Sequence, residues 1–423
     1  MAHETDRRGH AAFVTSNFWP EPTGTSQTVS EYAEFLSGQR VPVRVATSMP
    51  YYPQWQIWPE YRGRIWCSEQ HNGIRIFRSW HYVRPHVSTV TRILHETTLS
   101  LFALPNMIRV LHRAHVAYVV SPALSYAVMG LTVSKLLGVR SVLVVKDVMP
   151  DAAVELGMLR NTAVIRVSRW LARVAYALAD EIHTLGEGMR NRITRQMSEP
   201  SKITIVPDTV DADELAPVQD GNEFRSRFVP EGVFAVLHTG NMGKKQDLDL
   251  LLRAAARLRD DPSIHFYVFG DGAVKSDFLR RREELGLENV SHFPLQDRWM
   301  LRHMLSGADA VLISQLPEVV DIVVPSKLLT ALAAGAMIVA ACAADSETAH
   351  LVAESRGGVV VPPGDDGSLA EMLQSIKAGE VPTSDYRRRA RDFAVRRFDR
   401  RAIYGPLVEL HFGTDLKRAG NEQ

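Results

Sequence analysis

Short apolar runs alternate along this chain with stretches in which apolar residues recur every third or fourth position. "AAFVTSNFWPEPTGTSQTVSEYAEFLSG" opens the series. It gives an apolar strand, a polar Gly/Pro loop and an amphipathic helix with Val29, Tyr32, Ala33 and Leu36 on one face. "VPVRVATS", "GIRIFRS", "VAYVVSP", "SVLVVKDV" and "EIHTL" read as further strands, and "SYAVMGLTVSKLLG" and "RVSRWLARVAYALA" as helices between them. Buried strands alternating with helices predict an α/β fold with a mostly parallel sheet. "SKITIVPDTVDADELAPVQDG" ends this half with a strand and a Pro- and Asp-bearing linker. The pattern then restarts with "FAVLHTGNMGKKQDLDLLLRAAARL" and continues through "IHFYVFGDGAVK", "VSHFPLQ" and "AVLISQ" as a second strand-helix series.

Near its end, "DIVVPSKLLTALAAGAMIVAA" predicts a strand end, a tight entry, a short helix and another strand. Pro325 suits the first helical position, where its missing N–H costs nothing, and Gly335 suits the left-handed stop. The helix carries no carboxylate. Its positive end, with Ser326 and Lys327, suits an anion, although simple packing gives the same pattern.

Length changes the picture first. At 423 residues the chain exceeds one ordinary hydrophobic core, so two domains are expected. A hydrophobic share of 45% and a charged share of 23% fit a soluble globular chain, and no apolar run reaches the ~20 residues of a membrane span. "MAHETDRRGHAAF" lacks the apolar core of a secretory signal, so a cytoplasmic location is expected. Cys67 and Cys342 lie far apart without metal-ligand spacing and read as lone thiols. A net charge of +1 offers no global field for nucleic acid.

Candidate chemistry gathers in three loops that follow strands of the second half: "TGNMGKKQ", "FGDGAVK" and "VVPSK". Each alone is an ordinary turn or capped helix with solvated lysines. Together, with the Gly24 loop of the first half, they suit a phosphate ligand beyond the carboxyl ends of the strands. No Walker or GxGxxG pattern is present, which disfavours P-loop hydrolysis and dinucleotide-dependent redox chemistry.

The ordered set "SNFWPEPTG", "MPYYPQW", "VVKDVMPDAAVELG", "VPDTVD", "TGNMGKKQ", "FGDGAVK", "FPLQ" and "VVPSKLLTALAAG", spanning Phe13 to Leu410, resembles glycosyltransferase family 4, in particular its colanic-acid-type exopolysaccharide branch. The resemblance implies a GT-B fold: two Rossmann-like domains with mostly parallel sheets facing a central cleft. The expected divisions are 1–212 for the acceptor domain, 213–395 for the nucleotide-sugar domain, and 396–423 for a helix crossing back. It also implies retaining sugar transfer with neither bound metal nor cofactor, from a UDP- or GDP-linked donor to a lipid-linked glycan.

Among relatives the diphosphate lies against a glycine at Gly24's position and the helix-end amides at Ser326, Lys327 and Leu328, with Asn241 and a cation from Lys244 or Lys245 beside it. Gly270, Gly272 and Lys275 belong to the loop near the nucleotide, and Leu295 and Gln296 to the segment meeting the base. Lys146 and Asp147, at a strand end, match residues touching the transferred sugar or acceptor, with a structural ion pair as the rival role. Many relatives carry two glutamates where this chain has Ile322 and Thr330. That shifts the expected sugar contact to Asp321 and the ribose contact to the Thr330 hydroxyl. Asn241, Gln246 and Asp208 likewise replace Arg, Lys and Asn of many relatives.

"WHYVRPHVSTVTRILHETTLSLFALPNMIRVLHRAH" mixes aromatic, aliphatic and cationic residues. It fits either peripheral contact with the inner membrane or a helix pair covering the sheet. Two other functional classes remain open at this point. One is a sugar-nucleotide-binding protein regulating glycan assembly, which the missing glutamate favours. The other is a nucleotide-sugar epimerase, which lacks a convincing acid/base set here.

Overall fold

The computed structural model describes residues 9–22, 24–85, 89–151, 161–197, 199–317 and 325–420. The chain forms two compact units, Met1–Pro207 with Tyr404–Gln423, and Asp208–Ile403. The divisions therefore fall at 207/208 and 403/404, beside the 212/213 and 395/396 expected from the sequence.

The first unit is built on an eight-stranded sheet. Its strands are β1 (His10–Val14), β2 (Val43–Ser48), β3 (Trp66–His71), β4 (Ile74–Ser79), β5 (Ala114–Ser121), β6 (Arg140–Val145), β7 (Glu181–Thr184) and β8 (Ile203–Ile205). The spatial order is β3-β4-β2-β1-β5-β6-β7-β8, parallel except for the β3–β4 hairpin. β1 is buried at every position and β5 at six consecutive ones, as strands covered on both faces must be. Helices α1 (Thr25–Gly38), α2 (Thr89–Leu111), α3 (Leu124–Leu136), α4 (Thr162–Leu178) and α5 (Glu187–Thr194) supply cover. α1 buries Val29, Tyr32, Ala33 and Leu36, the face read from the sequence. α2 is one continuous helix where a helix pair was expected. Pro105 lies inside it, on a turn where Leu101 and Pro105 are exposed, so water can serve the carbonyl that proline leaves unbonded.

The second unit holds β9 (Phe234–Asn241), β10 (Ile264–Asp271), β11 (Val290–Phe293), β12 (Ala310–Ser314), β13 (Ile338–Ala341) and β14 (Gly358–Val361). All pair in parallel, in the order β11-β10-β9-β12-β13-β14. The first strand of the unit thus lies mid-sheet, and the winding reverses between β9 and β12. That reversal opens a crevice at the carboxyl ends of these two strands. Around the sheet run α6 (Glu223–Phe228), α7 (Leu248–Arg257), α8 (Lys275–Glu284), α9 (Arg298–Gly307), α10 (Ser326–Ala333), α11 (Glu347–Ser355), α12 (Asp366–Lys377) and α13 (Thr383–Arg397).

The arginine-rich segment divides between two helices. α13 stays in the second unit, and α14 (Arg400–Gly420) carries the chain back into the first. Two of the arginines on α13 serve helix ends. Arg387 donates to the carbonyls of Ser306 and Ala308 at the end of α9, and Arg391 to Ala333 at the end of α10. Cations are favourable there because the last carbonyls of a helix lack internal donors.

Candidate functional site

α10 occupies the reversal point of the second unit. Its N-terminal flank is Pro325, at φ −61° and ψ 130°, and its first turn carries no acidic residue. Leu328 donates its N–H to the Pro325 carbonyl at 2.9 Å, so this amide is already engaged. Ser326 and Lys327 are the amides of the first turn that precede the intrahelical ladder. The helix body buries Leu328, Leu329, Ala331, Leu332 and Ala333 against the sheet, and Gly335 closes it at φ +60°.

Lys327 turns from this helix toward the end of β9. Its Nζ donates to the Asn241 carbonyl at 2.9 Å and to Gln246 Oε1 at 2.8 Å, and lies 3.3 Å from His238 Nε2. These neighbours are neutral, and burial pulls the ammonium down to about 7. His238 is fully buried, and burial followed by the Lys327 charge holds its imidazole well below the usual range. Gly240 makes the approach possible. A Cβ built there would lie 2.9 Å from Lys327 Cε, and its backbone sits at φ +104°.

The other donor-site candidates fall around this centre in different states. Asn241, the last residue of β9, and Lys244 and Lys245 on the loop after it are exposed. Gly270 and Gly272 let the ends of β9 and β10 come close: a Cβ on Gly270 would strike the Gly240 carbonyl, and one on Gly272 would lie 2.6 Å from Asn241 Oδ1. Lys275 is paired with Asp271 at 2.9 Å, an ion pair that holds the Asp271 carboxyl below its usual range. Leu295 is exposed, and the Gln296 amide donates to the Pro294 carbonyl at 2.9 Å. The Thr330 hydroxyl donates to the Lys327 carbonyl at 3.0 Å, so its proton is committed to the helix. Asp321 and Ile322 lie outside the described residues.

In the first unit, Gly24 flanks the start of α1 at φ 62° and ψ −140°, with nothing within 4 Å of an added Cβ. Lys146 follows β6, half-buried, with exposed Asp147 beside it. Lys146 lines a cavity of about 30 Å³ with Tyr32, His183 and Tyr404. Behind this cavity runs a buried polar chain. Tyr32 donates to Tyr118 at 2.9 Å, and Tyr118 contacts His411 Nδ1 at 2.7 Å. Glu181 then accepts from His411 at 3.3 Å, His183 at 2.7 Å and Arg140 at 3.1 Å.

Sequence reasoning missed His238 as part of the site and missed this polar chain. Their signal was present: a histidine inside the apolar "FAVLHTG", and Glu181 with His183 two apart on β7, hence on one face.

Comparison with known proteins adds the lineage. Residues 23–209 match the family model of the glycosyl transferase 4-like domain, and residues 234–377 that of glycosyl transferases group 1. Over 403 residues the chain is 29% identical to the colanic acid biosynthesis glycosyl transferase WcaI of Escherichia coli K12, covering 93% of this chain and 97% of WcaI. Among solved structures, Anabaena HepE in complex with UDP and glucose aligns with a TM-score of 0.67 at 15% identity, covering 95% of this chain and 99% of HepE. WaaG, a glycosyltransferase involved in lipopolysaccharide biosynthesis, aligns with a TM-score of 0.63 at 16% identity, covering 95% and 100%. The two structures share the fold, and the two family models between them take in most of the chain: it belongs to the family-4-type glycosyltransferases of GT-B fold, similar to polysaccharide biosynthesis enzymes.

Proposed function

We propose that the protein transfers a sugar, with retention of anomeric configuration and without a metal ion, from a UDP- or GDP-linked donor to a lipid-linked glycan in cell-surface polysaccharide synthesis. The observation carrying this reading is Lys327, a cationic side chain beside the α10 amides whose hydrogen-bond partners among the described residues are neutral. As the anomeric bond breaks, the leaving diphosphate gains negative charge, and fixed donors at that point lower the barrier. The likeness to HepE, solved with UDP and glucose, and to WcaI supports the donor and the pathway class.

The test is a nucleotide titration followed by transfer assays in chelator. Wild-type protein should bind UDP or GDP and transfer from the matching sugar nucleotide in EDTA. Lys327→Ala should weaken nucleotide binding about 10- to 100-fold, the loss of one charge-assisted contact of ~1.5–3 kcal/mol. Absence of binding to both nucleotides would reject the reading. A second reading, sugar-nucleotide binding without turnover, is favoured by Thr330, whose hydroxyl proton is already used within the helix. Binding with no transfer from any donor would select it.

Membrane contact from the cytoplasmic face is proposed for α2. One side buries Leu99, Ala103, Met107 and Val110, while Val90, Ile93, Leu94, Leu101 and Ile108 are exposed on it. Exposed Ile65 and Trp66 lie on or beside β3, and Trp66 donates to the Phe102 carbonyl of α2 at 2.8 Å. Arg109, His112 and Arg113 are exposed at the C-terminal end of this helix and beyond it. Apolar residues beside cations fit an anionic interface. Ile93→Glu with Leu101→Glu should reduce co-sedimentation with phosphatidylglycerol vesicles at least tenfold. Equal sedimentation of both proteins would remove the membrane assignment.

A further inference from the structure

We infer, building on the lipid-linked-acceptor reading above, that an open cleft of the first unit, at the carboxyl ends of β2 and β4, binds the acceptor through a sugar ring joined to a phosphate, with Gln56, Arg62, Trp80 and Tyr82 as the binding residues.

β2 and β4 pair in parallel, so the segments that follow them leave the sheet side by side. Gln56 and Ile57 come from the first segment, Trp80, His81 and Tyr82 from the second, and with Arg62 they line a cleft of about 260 Å³. Open α/β sheets take ligands in crevices beyond strand carboxyl ends. The volume lies just under the roughly 300 Å³ at which pockets for drug-sized molecules begin, which suits one sugar ring rather than a chain. The first segment is held in shape. Glu21 accepts the backbone N–H groups of Tyr51 and Tyr52, each at 2.8 Å. Trp55 sits at φ 55°, a left-handed backbone that a bulky residue adopts only where its surroundings impose it, and its ring packs on Tyr51 and His95 at 5.6 and 5.7 Å between centroids. That strained turn carries the chain directly into Gln56 and Ile57.

The lining chemistry names the ligand class. Trp80 and Tyr82 are half-buried and supply aromatic surface, yet neither the Trp80 indole N–H nor the Tyr82 hydroxyl has a hydrogen-bond partner among the described residues. The Gln56 side-chain amide is likewise uncommitted, and Arg62 uses only Nε, on the Ile57 carbonyl at 3.1 Å, so its two Nη groups stay open. No carboxylate is among these lining residues, and the Arg84 guanidinium over the Tyr82 ring, 5.6 Å from its centroid, adds a second cation. His81 is buried as the floor. Aromatic faces suit the C–H face of a sugar, an amide and an indole N–H suit its hydroxyls, and a guanidinium fork suits a phosphate. An apolar ligand would strip water from four polar groups and return no hydrogen bond. The cleft also adjoins the helix proposed for membrane contact. Tyr82 donates its N–H to the Thr98 hydroxyl of α2 at 2.9 Å, and its carbonyl meets His95 Nδ1 of α2 at 2.8 Å. A sugar phosphate seated here therefore has its lipid beside the exposed Ile93, Leu94 and Leu101.

Calorimetric titration of the full chain at saturating UDP or GDP, so that the donor's phosphate site is already filled, tests this with the 1-phosphates of glucose, galactose, mannose and N-acetylglucosamine, against the matching methyl glycosides and inorganic phosphate. Wild-type protein should bind at least one sugar phosphate about tenfold more tightly than its methyl glycoside or inorganic phosphate. Arg62→Ala should erase the preference over the glycoside, and Trp80→Ala should weaken sugar phosphate and glycoside alike by about fivefold. Gln56→Ala should weaken both as well. Gln56 and Arg62 are exposed, so these two variants test the cleft even should Trp80→Ala fail to fold. Sugar phosphate binding that neither Gln56→Ala nor Arg62→Ala changes would place the ligand elsewhere and overturn the inference. Nucleotide binding with no response to any sugar phosphate, or with inorganic phosphate bound equally well, would also overturn it and leave the transferase reading standing. Failure to bind either nucleotide would remove that reading, and the acceptor assignment with it.

Discussion

Lys327 brings an amine to a place that offers it neutral acceptors and little water. With its folded pKa at about 7 and the ordinary lysine value at 10.5, the unfolded chain binds more protons between those limits. Stability contributed by this residue is therefore lowest below the folded value and rises with pH through the window. Relative to Lys327→Met, wild-type protein should gain about 1 kcal/mol of unfolding free energy per pH unit between about pH 7.5 and 9.5, read from urea midpoints. Parallel curves for the two proteins would mean that the lysine titrates as an exposed one. Sequence alone gave Lys327 as an anion ligand at a helix end. It did not give the depressed charge, which comes from burial of the side chain once the end of β9 and the loop after it fold against α10.

At the scale of elements, α14 attaches to the first unit through a mixture of packing and buried polarity. Tyr404 stacks on Tyr32 with ring centroids 4.4 Å apart, Leu407, Val408 and Phe412 are buried, and His411 joins Tyr118 to Glu181. Hydrogen bonds from His183, then His411, hold the Glu181 carboxyl well below its usual range. Its contribution is thus present above the ordinary carboxylate pKa and lost as pH falls through the folded value. His411→Ala should cost about 2–4 kcal/mol, because it leaves a buried carboxylate short of a donor and empties packed volume. His411→Gln should recover part of that cost. Arg397→Ala, which removes an exposed pair with Glu354, should cost under about 1 kcal/mol. Equal losses at His411 and Arg397 would remove the polar chain as an anchor. Most elements here were legible because their apolar positions keep one period. β3 was not, since its residues alternate between exposed and half-exposed and bury no face. The crossing by α14 rested on the family resemblance, because the arginines that mark the segment belong mainly to α13.

Across the whole molecule, both units bury histidines whose charged form the fold disfavours. In the first unit His81 is pulled down to about 3 by burial and by His95, and His95 and His183 are lowered by burial. In the second unit the same holds for His238. For a base with a lowered folded pKa, the unfolded chain takes the proton first as pH falls below the ordinary 6.5. Stability is consequently lost between 6.5 and the folded value, before most carboxylates titrate. His81 isolates this effect. Neither ring nitrogen has a well-formed hydrogen bond, and the ring packs against Tyr51 and His95 at 4.7 and 5.1 Å between centroids. An aromatic replacement keeps that packing and removes the titration. His81→Phe should match wild-type Tm within about 2 °C at pH 7.5 and exceed it increasingly as pH falls from about 6 to 4.5, by up to ~1.4 kcal/mol per pH unit. A constant offset between the two Tm curves would place the acid sensitivity elsewhere, and Glu181, which begins to lose its contribution only near the bottom of this window, would be the next group to vary.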